Sequence, residues 1–406
     1  MNVIFIEPSF PHNQREFVRA LHAAGANVIG IGERPVGYLS DELKGWLDDY
    51  VQVQSVVHEP SLQEAVTSIQ NRCWVDRLEA TVEAHIMPAA TVREASSIPG
   101  TSTETAFLCR DKPAMKEALR KAGIPCAQST RARTPQDARD FAAAVGFPLI
   151  VKPPAGAGAS GTYRVRDEDA LEDVIRESGL ADGHAVAVEE FIEGHEGFID
   201  TVTIGGEVGH EFITHYYPNV LEAMRQRWVS PQMIATNRIE APGYAEVREM
   251  ARKVIGILNI HTSATHMEWF FGPKGLKFSE IGCRPPGVGQ WDVYCAANEF
   301  DLYLEWAYAI AHGKTHAQPS RRYSAGMIAL RPEQDGRISG YSGVDEIGQR
   351  YGDCIVAAHL PEPGTATQAI EAGYMANAWM RVRHPDFDEL RRILNEIGET
   401  VRVLAA

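Results

Sequence analysis

Between Gly146 and Val165 the chain reads GFPLIVKPPAGAGASGTYRV, and this stretch narrows the choice of folds more than any other. Pro148 to Val151 is a short apolar run that ends on Lys152, and Thr162 to Val165 is a second one. Two strand-like runs joined by a loop too long for a tight turn predict a β-hairpin with a flap. The 155–161 flap carries Gly156, Gly158, Ser160 and Gly161, so few side chains pack there and its backbone N–H groups stay available to a ligand. Lys152 beside it suits phosphate oxygens, which accept hydrogen bonds from both. Taken alone, the same residues also describe an ordinary hairpin loop. No Lys-Ser/Thr pair follows the last glycine and no helix opens there, so neither a P-loop nor a dinucleotide fingerprint is supported.

A chain of 406 residues has room for two to four domains with sizeable cores. Its net charge of -15 argues against a nucleic-acid surface, which needs clustered Lys and Arg, so any site for an anion must be local. No apolar run approaches the ~20 residues that span a bilayer, and MNVIFIEPSF reads as a first strand rather than a secretion signal. The 6 cysteines lack CxxC spacing, which fits reduced thiols in a cytoplasm better than a disulfide frame or a zinc site.

In chain order, Val3 to Ile6, the helical spacing of Asn13 to Ala24, and Val28 to Ile31 predict a βαβ unit in a twisted parallel sheet. Loops at the carboxyl edge of such a sheet are available to a ligand. Val51 to Val53, Leu78 to Val82 and Ser97 to Pro99 are further strand candidates, and this first domain ends near residue 105. Asp111 and Pro113 predict a fresh helix start, which places Lys112 in a first turn where a cation works against the macrodipole. An anionic ligand nearby accounts for such a lysine; so does solvent. Ala185 to Val188 is a strand running into Glu189-Glu190-Phe191-Ile192-Glu193-Gly194-His195-Glu196, a hinge whose backbone can read a purine edge or a simple acidic turn. Tyr216 to Arg238 is a polar connection whose Arg225 and Arg227 are suited to a substrate carboxylate or to surface ion pairs.

His266 to Phe271 and Leu276 to Glu280 form a hairpin around Gly272 and Gly275, with His266, Glu268 and Phe270 on one face. Glu268 and Glu280 lie about equally far from that turn, so their carboxylates converge, an arrangement that suits Mg²⁺ completed by phosphates and water. Arg284 and Gly287 follow in the run Arg-Pro-Pro-Gly. From Arg321 onward short strands and a closing helix predict a small α+β unit.

Lys112, Lys152 with its glycine flap, the hinge, Glu268, Glu280 and Arg284 stand in the order seen in the ATP-grasp superfamily, which the chain resembles over nearly its whole length. The resemblance implies an α/β and α+β architecture: a Rossmann-like pre-grasp domain (1–105), a helical linker (106–124), a small lid subdomain (125–195), a core subdomain (196–318) and a C-terminal α+β cap (319–406). It implies that Lys112 and Lys152 bind ATP phosphates under the flap. Glu189 with the backbone of Glu190, Phe191 and Ile192 would hold adenine, and Glu196 the ribose hydroxyls. Glu268 and Glu280 would bind Mg²⁺, and Arg284 would steady the transferring phosphoryl group. The family's Glu-x-Asn-x-Arg motif appears here as Glu280-Ile281-Gly282-Cys283-Arg284, with Gly282 in the slot of a metal-binding asparagine. Softer features resemble carboxylate–amine ligases that join amino acids through an acyl phosphate, releasing ADP and phosphate. Arg225, Arg227, His266, Arg284 and Gly287 are then the substrate-binding candidates, and a homodimer is expected. Biotin-carboxylase-like or purine-pathway chemistry, or an ATP-binding regulatory protein with reduced catalysis, are the competing readings.

Overall fold

The opening βαβ pattern folds as written. Asn27–Gly32 and Arg77–Glu79 flank Asn2–Ile6 in parallel, and Asp49–Gln52 completes a four-stranded sheet. The helix Gln14–Ala23 lays Phe17, Val18 and Leu21 against the sheet, the i, i+1, i+4 stripe that a 3.6-residue period puts on one face. The computed structural model describes residues 1–155 and 161–406, the side chain of Glu371 excepted. Gly156, Gly158 and Ser160 of the flap therefore lie outside the described residues. Ser97 to Pro99 is not a strand. The preceding helix ends there, with Ser97 at φ 57° and the Ile98 N–H returning to the Arg93 carbonyl, so no extended segment remains to pair.

The helix Lys112–Lys121 starts where Asp111 accepts the Ala114 N–H at 3.0 Å. A four-stranded antiparallel sheet follows, in the order Ser129–Ala132, Val186–Glu190, Leu149–Lys152, Tyr163–Val165, backed by the helices Pro135–Val145 and Glu168–Glu177. Its core is Leu149, Val151, Val165, Leu171 and Val188. The lid hairpin expected around the flap is thus Leu149–Lys152 with Tyr163–Val165.

The rest is an eight-stranded antiparallel sheet in the order Gly275–Gly282, Ser263–Gly272, His195–Ile204, Glu207–Tyr217, Gln232–Ala235, Ser324–Leu330, Ala378–His384, Ile355–His359. Gln232–Ala235 lies inside the segment expected to be a polar connection. Four residues are too short to show a period, and their neighbours on both sides supply the pairing that makes them a strand. Residues 319–406 pack around Leu390, Ile393 and Ile397 in a core that also takes in Ile234, and their strands extend this central sheet. We propose the five-part division above with that qualification.

Two helices between the units, Gln290–Asn298 and Leu302–His312, join the first sheet to the central one. Trp291, Tyr303 and Trp306 pack edge-on or tilted around Phe17 with ring centroids 4.9 to 5.1 Å away, a geometry that adds to their area burial. No helix among the described residues is long and apolar enough to cross a membrane.

Candidate ATP and substrate site

The three sheets meet at a cleft of about 1480 Å³. Its first wall is made by loops at the carboxyl edge of the parallel sheet, Phe10 to Gln14 and Thr81 to Glu83, as expected for that fold. The lid supplies Ile150, Lys152 and the hinge, and the central sheet supplies Glu196, Tyr216, His266, Glu268, Phe270 and Glu280.

Glu268 and Glu280 are direct partners across their two strands, with a bulge just after Glu268. Lys112 Nζ stands 3.3 Å from Glu280 and Lys152 Nζ 3.9 Å. Burial works against the charge on Glu280, but Lys112, Lys152 and Lys116 outweigh it and hold its carboxyl below the usual range. The Lys112 N–H also donates to the Pro154 carbonyl at 2.9 Å, tying the helix start to the lid hairpin.

Lys116 was not anticipated, though it follows Lys112 by one helical turn and so shares its face. It is 1% exposed and lies 2.6 Å from Glu189 Oε2, which Lys152 approaches at 3.0 Å. Burial pulls Lys116 down to about 8 against the attraction of Glu189. Burial would raise Glu189, yet the two lysines bring it to about 2. Its other oxygen, Oε1, is buried with no hydrogen-bond partner. An ionised carboxylate accepts only, so that oxygen is matched by a donor such as the exocyclic amine of adenine. The residues present therefore fit ATP.

The hinge is narrower than expected. The N–H groups of Glu190 and Phe191 already donate to Gln128 and Pro148, and the Glu190 carboxylate is held by Lys274, so of the three amides expected at adenine, Glu190 to Ile192, only that of Ile192 is uncommitted among the described residues. Arg164 lies over the Phe191 ring at 4.0 Å. Glu196 accepts the Val220 N–H at 2.7 Å, and burial followed by the Glu268 charge pushes it up to about 8. The like charge that Glu268 presses on Glu196 is what a divalent cation relieves. Among the described residues no group of three or more potential metal ligands occurs, so Mg²⁺ would be held by this glutamate pair with phosphates and water.

His266 Nδ1 is 2.7 Å from Asp200 and its Nε2 3.5 Å from Glu268. Burial opposes its protonation, but Asp200 and Glu268 win and raise it to about 9, so it is an imidazolium that braces Glu268. Tyr216 reaches the same Glu268 oxygen at 3.4 Å. Arg284 donates through Nε to Glu83 at 2.9 Å, and Glu83 also takes Arg110 at 3.0 Å, an inter-unit tie invisible in sequence. At the Gly282 position a Cβ would stand 3.4 Å from Arg284 Cγ, so the arginine stem covers the slot where the motif usually carries asparagine.

Of the remaining substrate candidates, Gly287 and Arg225 line the cleft, and Arg225 bonds the Thr162 carbonyl of the lid at 3.1 Å. Gly161 sits at the far end of the flap with φ 64°. Arg227 is a correction. It lies outside the cleft lining and pairs with Asp335 at 2.8 Å. Arg227→Ala is expected to leave KM values for ATP and substrates within about twofold, as for other exposed pairs; steady-state kinetics checks it.

Residues 117–300 match the ATP-grasp domain family model. The L-arginine-specific L-amino acid ligase of Bacillus subtilis is 28% identical over 250 residues, 60% of this chain and 60% of that protein. Alanine–anticapsin ligase of Bacillus subtilis (strain 168) is 24% identical over 230 residues, 52% of this chain and 48% of that protein. The chain thus spans about half to three-fifths of the length of these curated relatives. The crystal structure of an L-amino acid ligase from Bacillus licheniformis superposes with a TM-score of 0.78 at 17% identity, covering 100% of this chain and 98% of that one. The chain is an ATP-grasp-fold protein, with its ATP-grasp domain at residues 117–300.

Proposed function

We propose that the protein is an ATP- and Mg²⁺-dependent carboxylate–amine ligase that joins amino-acid-like substrates through an acyl phosphate, releasing ADP and phosphate. The observation that carries this reading is the convergence of Lys112, Lys152 and the Glu268–Glu280 pair on one cleft whose far half extends past Arg284 to a second wall. MgATP supplies the phosphoryl group that activates the carboxylate. The chain's own part is positioning and charge neutralisation, which such transfers need more than a covalent nucleophile. Lys112 and Lys152 bind the phosphates, Glu189 orients Lys152 and accepts from adenine, and Ile192 donates to the base. Glu196 takes ribose, Glu268 and Glu280 hold Mg²⁺, His266 and Tyr216 fix Glu268, and Arg284 neutralises charge at the reacting carboxylate. The walls from the lid and the first domain exclude water that would hydrolyse the activated acid. A homodimer in the cytoplasm is part of the same proposal, supported by six unpaired cysteines for the compartment.

The test is phosphate release from MgATP across a panel of amino-acid pairs, with mass spectrometry of products. A new amide mass matched to phosphate supports the ligase; ATP binding with silence across the panel favours a regulatory protein. Lys152→Ala is expected to weaken ATP binding by about 1.5–3 kcal/mol, the worth of charge-assisted hydrogen bonds. Unchanged affinity by calorimetry would remove Lys152 from the phosphate site.

A further inference from the structure

The half of the cleft beyond Arg284 contains a guanidinium with too few partners. Arg381, on the strand Ala378–His384, lines the cleft and is only 8% exposed. A guanidinium has five N–H donors. Among the described residues the one acceptor it meets is Asp292 Oδ2, 3.0 Å from Nη2, and its Nε is buried without a partner. Its Cζ lies over the Trp379 ring, 4.8 Å from the centroid, a contact that satisfies no donor. Asp292 in turn accepts the Tyr303 hydroxyl at 3.0 Å, so the carboxylate that orients Arg381 is itself fixed. Tyr374, on the same wall, has a buried hydroxyl with no hydrogen-bond partner. Buried donors left unpaired are costly, and a ligand carboxylate is the group that relieves a guanidinium with spare donors.

The surroundings keep this place open. Gly289 lies against the pair, and a Cβ there would stand 2.9 Å from Arg381 Nη2 and 3.3 Å from Asp292 Oδ2. Its φ of 63° also disfavours a side chain. Pro285 to Val288, which connect Arg284 to Gly289, all line the cleft. Five residues span at most about 17 Å, so the two arginines lie within reach of two small substrates end to end.

We propose that Arg381, positioned by Asp292 and uncovered by Gly289, binds a free carboxylate on the amine substrate, so that this substrate is an amino acid rather than a simple amine. The inference rests on the ligase reading and names the substrate of its second half. In an amide-forming reaction the donor's carboxylate is consumed at the phosphate end, beside Arg284. A second guanidinium farther along serves a carboxylate that survives into the product, and the acceptor amino acid is what retains one. The neighbouring Asp292 disfavours a dianion such as a phosphate ester, which a singly charged carboxylate avoids.

The experiment compares, in the wild-type protein with MgATP, each acceptor amino acid with its own carboxamide. The expected result is a kcat/KM roughly 10- to 100-fold lower for the carboxamide, the range for a lost charge-assisted pair. Arg381→Met should raise KM for the amino acid by a similar factor, change the carboxamide little, and leave KM for ATP within about twofold. Arg381→Lys should recover part of the preference. Equal use of acid and carboxamide, with ADP formed, overturns the subsite while the ligase stands. Where no pair forms ADP, the ligase reading falls, and calorimetry with a non-hydrolysable ATP analogue and Mg²⁺ decides the subsite. Amino-acid binding lost in the carboxamide and in Arg381→Met supports it, and binding indifferent to both, or none, overturns it. The wild-type comparison holds even if a variant fails to fold.

Discussion

Replacing Glu280 by glutamine is expected to lower kcat by at least about a thousandfold while leaving the fold intact, because metal charge stabilisation in such transfers is worth several kcal/mol. Glutamine keeps the shape but removes the charge that Lys112 and Lys152 face at 3.3 and 3.9 Å, and it leaves Glu268 as the single carboxylate of the pair. The strands persist because the ladder between Ser263–Gly272 and Gly275–Gly282 is made by backbone groups. Steady-state phosphate release and circular dichroism check the two halves. Turnover within tenfold of wild type would sink the assignment of Glu280 as a metal ligand.

The largest effect on stability is expected at Glu189. Glu189→Ala leaves Lys116 and Lys152 buried without their shared counter-ion, and breaking a buried pair by removing one partner costs about 3–5 kcal/mol. Against a typical total of about 5–15 kcal/mol this is a large share. The same group sets an acid dependence. Its carboxyl lies at about 2 when folded against 4.5 for the unperturbed group. The unfolded chain therefore binds the proton first as pH falls. Stability from Glu189 is fully present above about pH 5 and is lost on the way down to about pH 2, amounting to about 3 kcal/mol. Urea midpoints measured across that window for wild type and Glu189→Gln test it; parallel curves would show that Glu189 carries no such linkage.

Glu189 also shows where sequence reading stops. Its strand and the hinge after it were legible as an apolar run meeting an acidic segment, and the place opposite the purine proposed for it came from the order of motifs. That the oxygen facing Lys152 is also bound by Lys116 was not legible, because Lys116 and Glu189 are separated by 73 residues and meet only when the helix Lys112–Lys121 docks on the lid. Lys116 did leave a signal, the one-turn spacing from Lys112. Arg227 misled for the opposite reason. An arginine in a polar connection reads the same whether its turn faces the cleft or Asp335.

By itself the sequence determined the elements whose cause is local. The alternation and turn of the Glu268–Glu280 hairpin, the Asp111 cap that starts the lysine helix, and the apolar runs of the parallel sheet each act within a few residues. The tertiary structure alone decided the long-range pairs: Arg284 with Glu83, His266 with Asp200, Arg381 with Asp292, and the strand Gln232–Ala235 between its two neighbours. Charge pairing and sheet registration across distant segments depend on the packing of whole units, and no spacing along the chain encodes where those units meet.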